Sequence, residues 1–352
     1  MNSFEYVRPA TTSEAIAAAA VPGSVYLAAG TNLLDLMKGG VSRPLRLVDI
    51  TRLPGLTSIE RLPDGGIRIG ALVRNAELAN DPAFARSYPA IAEALLSGAS
   101  AQLRNAATVG GNLLQRTRCS YFYDVASACN KRQPGTGCDA RNGENRLHAI
   151  LGWTEACIAT HPSDFCVPLV ALDALVEIEG QDGRREIALE ALHRLPGDAP
   201  ERENTLAPGD LIVALRLPRG ASAFSAHTRY LKVRERTSYA FAVVSAAAGL
   251  RIEAGVIQEA RIALGGVAAK PWRARAAERA LVGCSPGTSA FHAAAHSALA
   301  DAEPSGDNRF KIELARRIVE RVLMRAAAGT PARIPALPAS PFASLSGAPH
   351  DA

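Results

Sequence analysis

The sequence predicts a protein of mixed α and β structure (α+β) built from more than one domain, on three observations. The chain has 352 residues, which is enough for two or three compact domains. Hydrophobic residues make up 48% and charged residues 21%, which is the balance of a folded globular protein rather than a disordered chain. Short β-rich runs alternate with helical patterns, and turns rich in glycine and proline separate them.

Residues 1–55 are predicted to form a first small α/β unit. Thr11 and Glu14 form a capping box before an alanine-rich helix. Strands at 24–29 and 46–50 flank a helix at 33–38 that ends at a glycine pair. The alanine run lacks the basic residues that precede an export signal, so we interpret it as a helix of the folded protein.

Residues 56–220 and 221–328 are predicted to form two further units. In the second unit we expect a hairpin around Pro63-Asp64-Gly65, a helical stretch at 75–96 and strands at 167–179 and 211–217. In the third we expect three strands and a closing amphipathic helix, at 228–234, 240–252, 261–267 and 310–328. Residues 329–352 are rich in proline and alanine and predict a flexible tail.

Charge and aromatic content exclude two classes of partner. The net charge is +5, but acidic and basic residues are interspersed without a long basic run, so we expect no nucleic-acid partner. Aromatic residues make up 5%, too few for a surface that stacks nucleic-acid bases. The longest uncharged apolar run, 240–250, is far shorter than the ~20 residues of a membrane helix, so we expect no membrane insertion.

Four of the six cysteines lie in an irregular segment at about 115–161. Cys119, Cys129, Cys138 and Cys157 could converge on a tetrahedral zinc ion or an iron–sulfur cluster. No pair has the C-x-x-C spacing that zinc sites favour, and the spacing is not that of a ferredoxin either. Isolated buried thiols stay an alternative. We assign the two other cysteines, Cys166 and Cys284, to the core.

Two glycine turns are candidates for holding a phosphate-bearing ligand. Gly30-Thr31-Asn32 follows a predicted strand and leads into a helix, and Thr108–Asn112 supplies a hydroxyl, two glycines and an amide. Unpaired peptide N–H groups at such turns can bind a pyrophosphate. Each turn alone favours a plain structural connection, and the glycine motifs of Rossmann and P-loop proteins are missing from the sequence. The two turns together, in adjoining α/β units, point more towards a dinucleotide site.

Several motifs together resemble one family. They are Phe4–Tyr6, Ala29–Met37, Arg104–Asn112, His161–Asp164, Tyr230–Arg234, Ala263–Val267 and Lys270–Trp272. This combination resembles the FAD-binding medium subunit of the molybdenum hydroxylases, over about residues 1–328. It is most similar to the bacterial periplasmic-type aldehyde oxidoreductases, whose FAD subunit carries a cysteine-bearing insertion with a [4Fe–4S] cluster.

The resemblance implies a fold and a set of cofactor-binding residues. The fold would be a two-subdomain α/β FAD-binding domain (PCMH type), followed by a C-terminal domain with a small antiparallel sheet and helices. The backbone of nine residues would hold the FAD pyrophosphate: Tyr26, Leu27, Ala28, Ala29, Gly30, Thr31, Asn32, Leu33 and Leu34. Ala29 stands where the family usually has glycine, and we expect binding to survive this change.

The resemblance assigns the remaining flavin contacts to two later regions. Thr108 and Asn112 would hold the phosphate and adenosine side, with Gly110 and Gly111 allowing a close approach. Three more residues would lie nearer the ring system: Asp164 at the ribityl hydroxyls, Ile212 at the ring through its backbone, and Lys232 at its polar edge. A lysine there would stabilise the negative charge of reduced flavin. The same resemblance makes Cys119, Cys129, Cys138 and Cys157 the ligands of the [4Fe–4S] cluster.

The resemblance also implies partners and a role. The chain would pass electrons from a large molybdenum-cofactor subunit and a small subunit with two [2Fe–2S] clusters, through FAD, to an external acceptor. Aldehyde oxidation would occur on the large subunit, and we find no acid–base pair or activated nucleophile here, so no catalytic residue is predicted. We expect folding in the cytoplasm, and co-export to the periplasm with a signal-bearing partner stays open.

Two other functions stay open at this point. A stand-alone FAD oxidoreductase would need its own substrate pocket and base, and a cysteine relay would serve no purpose in it. A zinc-stabilised interaction protein would use the glycine turns for structure alone. Iron, zinc and flavin content distinguish all three interpretations.

Overall fold

A computed structural model describes residues 1–332, so most of the predicted tail, residues 333–352, lies outside the described residues. The strands are β1 (Glu5–Val7), β2 (Ser24–Leu27), β3 (Arg46–Asp49), β4 (Ile59–Arg61), β5 (Ile67–Gly70), β6 (Leu175–Gly180), β7 (Gly183–Ala188), β8 (Leu211–Leu217), β9 (Thr228–Val233), β10 (Val244–Glu253), β11 (Val256–Gly265) and β12 (Trp272–Arg273). The α-helices are α1 (Thr12–Ala19), α2 (Leu33–Lys38), α3 (Asn75–Asn80), α4 (Pro82–Ser87), α5 (Pro89–Ser97), α6 (Ala101–Ala106), α7 (Val109–Leu113), α8 (Ser120–Tyr123), α9 (Cys166–Ala171), α10 (Leu189–Leu192), α11 (Arg275–Leu281), α12 (Thr288–Ala298) and α13 (Phe310–Ala327).

The N-terminal unit is a parallel three-stranded sheet in the order β1-β3-β2. Helix α1 begins as predicted: Thr11 Oγ1 accepts from the Glu14 peptide N–H at 3.2 Å, and the Glu14 carboxylate accepts from the Ala10 N–H at 2.8 Å. Helix α2 begins directly after the turn that follows β2, so the predicted strand–turn–helix order is present.

The second sheet is antiparallel, in the order β4-β5-β8-β6-β7. The predicted hairpin joins β4 and β5, where Asp64 Oδ1 accepts from the Gly66 N–H at 2.8 Å. The predicted helical stretch is divided into α3, α4 and α5, because prolines begin the second and third helices. A large core joins this sheet to the helices that cover it and extends to Tyr230 and Ala247 of the third sheet.

One predicted strand is wrong in its first half. Residues 166–171 form helix α9, and the strand β6 begins only at Leu175. All six side chains of α9 are buried, so the apolar run carries no periodicity that separates a helix from a buried strand. Cys166 lies in this core, as expected, but Cys284 does not: it is half-buried in the turn after α11, where its thiol donates to the Ala280 carbonyl at 3.4 Å.

The C-terminal unit is an antiparallel sheet in the order β12-β11-β10-β9, and α13 packs along β10 and β9. Its core includes Val319, Val322 and Leu323 of the amphipathic helix. Each of the three predicted structured segments therefore contains one sheet, and we keep boundaries near residues 55 and 220 as a proposal. The predicted α+β fold class is confirmed. Among residues 1–332, no helix combines the length and apolarity that a membrane span requires.

The segment 115–161 has little regular structure, as predicted. It contains α8, one short 3-10 helix (Asp139–Asn142) and two isolated β-bridges, Cys129 with Cys138 and Thr154 with Cys157. Long-range contacts hold it in place. Lys311 of α13 is fully buried and its ammonium donates to the carbonyls of Leu147, His148 and Gly266 at 2.7–2.9 Å.

Candidate functional site: a large cavity beside a cysteine cluster

A cavity of about 700 Å³ is lined by residues of all three units. Its walls come from the N-terminal turn, from helices α5 to α7, from the irregular segment, and from β9 with the loop that follows it. The volume lies within the range of small-molecule sites, which is about 300–1,000 Å³. We call it the large cavity.

The turn after β2 supplies one wall. Gly30 has φ +74°, and a Cβ there would meet the Leu34 side chain at 2.7 Å, so this turn requires glycine. Thr31 and Asn32 line the large cavity. The peptide N–H groups of Thr31, Asn32 and Leu33 donate to no backbone or side-chain acceptor of the described residues, so they are available to an anionic ligand.

The second glycine loop also contributes to the wall, but only some of its residues line the cavity. Gly111 and Asn112 line the large cavity. Thr108 is 3% exposed, and its hydroxyl caps α7 by accepting from the Gly111 N–H at 3.3 Å. Gly110 packs against Ala71, where an added Cβ would lie 3.0 Å from the Ala71 Cβ. Thr108 and Gly110 thus shape the loop without lining the cavity.

The irregular segment separates two parts of the site that meet in space. Ser163 Oγ donates to Asn112 Oδ1 at 2.7 Å, although the two residues are 51 positions apart in the chain. The Ser163 hydroxyl also accepts from the Cys166 N–H at 3.2 Å at the start of α9. The glycine loop and the His161–Asp164 motif therefore form one wall of the large cavity.

Asp164 and Lys232 form a buried ion pair in this wall. Lys232 Nζ lies 2.7 Å from Asp164 Oδ2, and the side chains are 4% and 8% exposed. The Tyr230 hydroxyl donates to the other carboxylate oxygen at 2.5 Å. Burial, together with the negative charge of Asp164, raises the pKa of Tyr230 well above its usual range, so the phenol stays a donor. Lys232 also donates to the Ser97 carbonyl at 3.3 Å.

The remaining predicted flavin contacts are not among the residues that line the large cavity. They are Tyr26, Leu27, Ala28, Ala29, Gly30, Leu33, Leu34 and Ile212. Tyr26 donates to the Gly209 carbonyl at 2.7 Å, and Ile212 is 5% exposed within β8, opposite Ile178. Their roles toward a cofactor stay predictions.

Several residues of the site were not predicted from the sequence. Glu93 is 6% exposed and accepts from Arg229 Nε at 2.8 Å and from the Tyr230 N–H at 2.6 Å, which fixes β9 against α5. Tyr239 and Phe241 line the cavity from the loop after β9. The sequence offers no local signal for these contacts, because each joins elements distant in the chain.

The four predicted ligand cysteines lie together around a second, much smaller cavity. Cys119, Cys129, Cys138 and Cys157 all line it, and all are free thiols. The sequence expectation that they converge is therefore met. Burial raises the pKa of the Cys119 thiol to about 12 and also raises the pKa values of Cys138 and Cys157. We call this the cysteine cavity.

The basic residues near the cysteines all have other partners. Lys131 is 6% exposed; its ammonium donates to the Pro200 carbonyl at 2.8 Å and lies 3.1 Å from Glu203. Arg116 also pairs with Glu203, and Arg132 donates to the Tyr121 and Phe122 carbonyls at 2.8 and 2.9 Å. These basic side chains therefore mainly hold the irregular segment in place, although the charge of Lys131 also favours the Cys157 thiolate.

Comparison with known families identifies the family of the chain and the cofactor that the large cavity binds. Residues 2–220 match the family described as the FAD binding domain in molybdopterin dehydrogenase. Residues 229–329 match the CO dehydrogenase flavoprotein C-terminal domain. The chain belongs to this family of FAD-binding medium subunits. FAD is therefore its cofactor, and the large cavity, with free N–H groups at Thr31 and Asn32 and the Lys232 cation, fits a flavin dinucleotide.

Relatives cover nearly the whole chain. The aldehyde oxidoreductase FAD-binding subunit PaoB of Escherichia coli (strain K12) is 48% identical over 330 residues, which are 93% of this chain and 99% of that protein. The carbon monoxide dehydrogenase medium chain of Hydrogenophaga pseudoflava is 28% identical over 91% of this chain and 96% of its own length. A solved structure of the Hydrogenophaga pseudoflava carbon monoxide dehydrogenase superposes with a TM-score of 0.73 at 27% identity, covering 93% of this chain and 98% of that one.

Proposed function

We propose that the chain is the electron-transfer subunit of a molybdenum-dependent aldehyde oxidoreductase and carries both FAD and a [4Fe–4S] cluster. The aldehyde substrate class is supported by the 48% identity to an aldehyde oxidoreductase FAD-binding subunit along nearly all of both chains. One structural observation carries the cluster: four free cysteines line a single cavity, and one of them, Cys119, also lines the large cavity.

The arrangement of the thiols favours a cluster over a single zinc ion. Zinc with Zn–S bonds of 2.3 Å needs four sulfurs about 3.8 Å apart. In the described residues, no three of the four cysteine sulfurs lie within 4.8 Å of one another, whereas His161, Cys166 and His193 do place three ligand atoms that close. The four thiols are thus spaced more widely than the ligands of one zinc ion, which favours ligation of four separate iron atoms.

Hydrogen-bond donors around the sulfurs also suit a thiolate-ligated cluster. The peptide groups of Tyr121 and Phe122, next along the chain, lower the pKa of the Cys119 thiol against the effect of burial. The Ala159 N–H donates to the Cys157 sulfur at 3.5 Å. Such donors stabilise the negative charge of a cluster and help to set its potential.

The residues of the large cavity would bind and orient FAD. Thr31 and Asn32 present free peptide N–H groups to the pyrophosphate, and Asn112, fixed by Ser163, would meet the adenosine side. Asp164 would accept from the ribityl hydroxyls, and Lys232 would supply positive charge near the ring. Bound FAD supplies reversible electron transfer; the protein's part is to hold it and set its charge environment.

The partners follow from the same proposal. A large molybdenum-cofactor subunit would oxidise the aldehyde, a small subunit with two [2Fe–2S] clusters would deliver the electrons, and an external acceptor would remove them. The carbon monoxide dehydrogenase medium chain, similar over 91% of this chain, comes from a molybdenum enzyme of several subunits and supports this organisation. For location we propose folding in the cytoplasm, from which a signal-bearing partner subunit could carry the complex to the periplasm.

The proposal is tested by counting metals and flavin in the complex purified anaerobically with its co-expressed partner subunits. We expect one FAD and about four irons assignable to this chain, beyond those of the small subunit. FAD without these irons would contradict the cluster and leave a plain flavoprotein. Zinc without flavin would indicate a zinc-stabilised interaction protein instead.

Two serine variants assign the irons to this chain. Cys138→Ser removes one thiol of the cysteine cavity and should remove the additional irons while FAD stays. Cys284→Ser changes a half-buried cysteine in a different part of the fold and should leave both iron and FAD unchanged. Equal iron in the two variants would contradict the ligand set.

A further inference from the structure

Cys119 lies in the wall between the two cavities. It lines the large cavity together with Thr117 and His148, and it also lines the cysteine cavity. Thr117 supports this position, because its hydroxyl accepts from the Cys119 N–H at 3.3 Å. In the described residues, Cys119 is the one cysteine that lines both cavities.

The Cys119 sulfur has a side-chain partner on the large-cavity side. His148 Nε2 lies 3.2 Å from Cys119 Sγ, which is within hydrogen-bonding distance for sulfur. His148 is 7% exposed and its Nδ1 has no hydrogen-bond partner in the described residues. Among the described residues, the contact of Nε2 with the Cys119 sulfur is therefore the hydrogen bond of the His148 ring.

The proton of the ring is most favourably placed on Nε2. A neutral imidazole has one N–H, which sits on either Nδ1 or Nε2. A proton on Nδ1 would leave a buried donor unpaired, whereas a proton on Nε2 leaves only a lone pair unpaired, which costs less. With Cys119 as a thiolate ligand, Nε2–H is also the arrangement that makes a hydrogen bond, since a thiolate can only accept.

The backbone around His148 is held rigidly. Its carbonyl accepts from Asn308 Nδ2 at 3.1 Å and from Lys311 Nζ at 2.7 Å, and both of these residues are fully buried. Its N–H donates to the Asn145 carbonyl at 2.9 Å. The C-terminal unit thereby fixes the position from which the imidazole reaches the sulfur.

We propose that His148 is a positioning residue of the cluster: its Nε2–H donates to the Cys119 sulfur in the wall shared with the large cavity and raises the reduction potential of the cluster. This inference rests on the proposed function, because it concerns a cluster ligated by Cys119. The physical reason is that a donor to a ligand sulfur stabilises the more negative, reduced cluster more than the oxidised one.

Three variants of the intact complex test the proposal. His148→Leu removes the donor, and His148→Gln keeps an N–H that can reach the sulfur. His227→Leu is the matched control: His227 is half-buried, its ring lies 3.0 Å from the Ala326 carbonyl oxygen at hydrogen-bonding distance, and it lines neither cavity. Iron and FAD per chain are counted, and the potentials of cluster and flavin are measured in an anaerobic redox titration followed by paramagnetic resonance and visible absorption.

We expect a lower cluster potential in His148→Leu, with the potential restored in His148→Gln and unchanged in His227→Leu. The flavin potential should be the same in all forms. A full iron count with an unshifted cluster potential in His148→Leu overturns the inference and leaves the cluster intact.

If His148→Leu loses the additional irons, His148→Gln shows whether the missing hydrogen-bond donor is the cause. Irons retained in His148→Gln support a donor at this position, and loss of the irons from both variants contradicts the inference. A wild-type complex without the additional irons overturns the proposed cluster, and with it this inference. The two failures are therefore distinguishable by the wild-type iron count.

Discussion

Lys232 Nζ lies 2.7 Å from Asp164 Oδ2, and this ion pair joins strand β9 of the C-terminal sheet to the loop that precedes α9. Both side chains are more than nine-tenths buried, so little water compensates either charge. The Tyr230 hydroxyl donates a hydrogen bond to the other oxygen of this carboxylate. An ion pair between two units of the fold thus joins the elements that form this wall of the flavin site.

Lys232→Met should lower the free energy of unfolding by about 3 kcal/mol, because it leaves the Asp164 carboxylate buried without its cation. It should also weaken FAD retention. Urea unfolding and the flavin-to-protein ratio measure both effects. The control is Arg317→Met, which breaks an exposed i,i+4 pair with Glu313 and should cost under about 0.5 kcal/mol. Equal effects of the two substitutions would contradict the importance of the buried pair.

Ser163→Ala should raise the FAD dissociation constant about fivefold, corresponding to about 1 kcal/mol for the lost hydrogen bond to Asn112. The loss also removes the acceptor for the Cys166 N–H at the start of α9. Fluorescence titration of the flavin-free complex with FAD measures the constant. Ser222→Ala, which removes a hydroxyl that donates to the Arg219 carbonyl and does not line the cavity, should leave the constant unchanged.

Gly110→Ala should destabilise the second glycine loop by about 1–3 kcal/mol, because the new Cβ lies 3.0 Å from Ala71 Cβ and 3.2 Å from its carbonyl oxygen. Displacement of the loop should also reduce FAD content, although Gly110 lines no part of the cavity. Thermal unfolding and flavin counts test this. Gly220→Ala places its Cβ in open space and should have no such cost. If Gly110→Ala leaves both stability and FAD content unchanged, the backbone at Ala71 can move aside and the prediction is wrong.

Asp49 should make stability depend on pH in the acid range. Burial raises the pKa of Asp49, but hydrogen bonds from Thr51, Tyr6 and Arg8 outweigh it and bring the pKa to about 2, below its usual 3.8. An acid whose pKa is lowered by folding stabilises the protein above its unfolded pKa and loses this contribution as pH falls toward the folded pKa.

The wild-type protein should therefore lose up to about 2 kcal/mol more than Asp49→Asn between pH 5 and pH 2. Urea unfolding at several pH values measures the difference between the two proteins, which cancels the contributions of other carboxylates. Parallel pH dependences would show that Asp49 does not titrate with a lowered pKa.

Local sequence determined much of the fold, because the responsible interactions act between near neighbours in the chain. Residues only a few positions apart produce the capping box of Thr11 and Glu14, the turn at Asp64 and the helix Leu33–Lys38. The helix at 166–171 was predicted as a strand, since a fully buried apolar run looks the same in both structures. Only packing against β10 and β11 decides between them.

The sequence by itself also determined the family, the cofactor and the four cysteines that converge, because motif residues and their order along the chain can be recognised without a structure. The tertiary structure decided which of these residues face the cavity: Asn112 lines it, while Thr108 caps helix α7 and does not line it. It alone paired Lys232 with Asp164 and placed His148 against Cys119. Such pairs join residues 29 to 68 positions apart, and no periodicity or propensity encodes a contact that exists only when separate elements pack together.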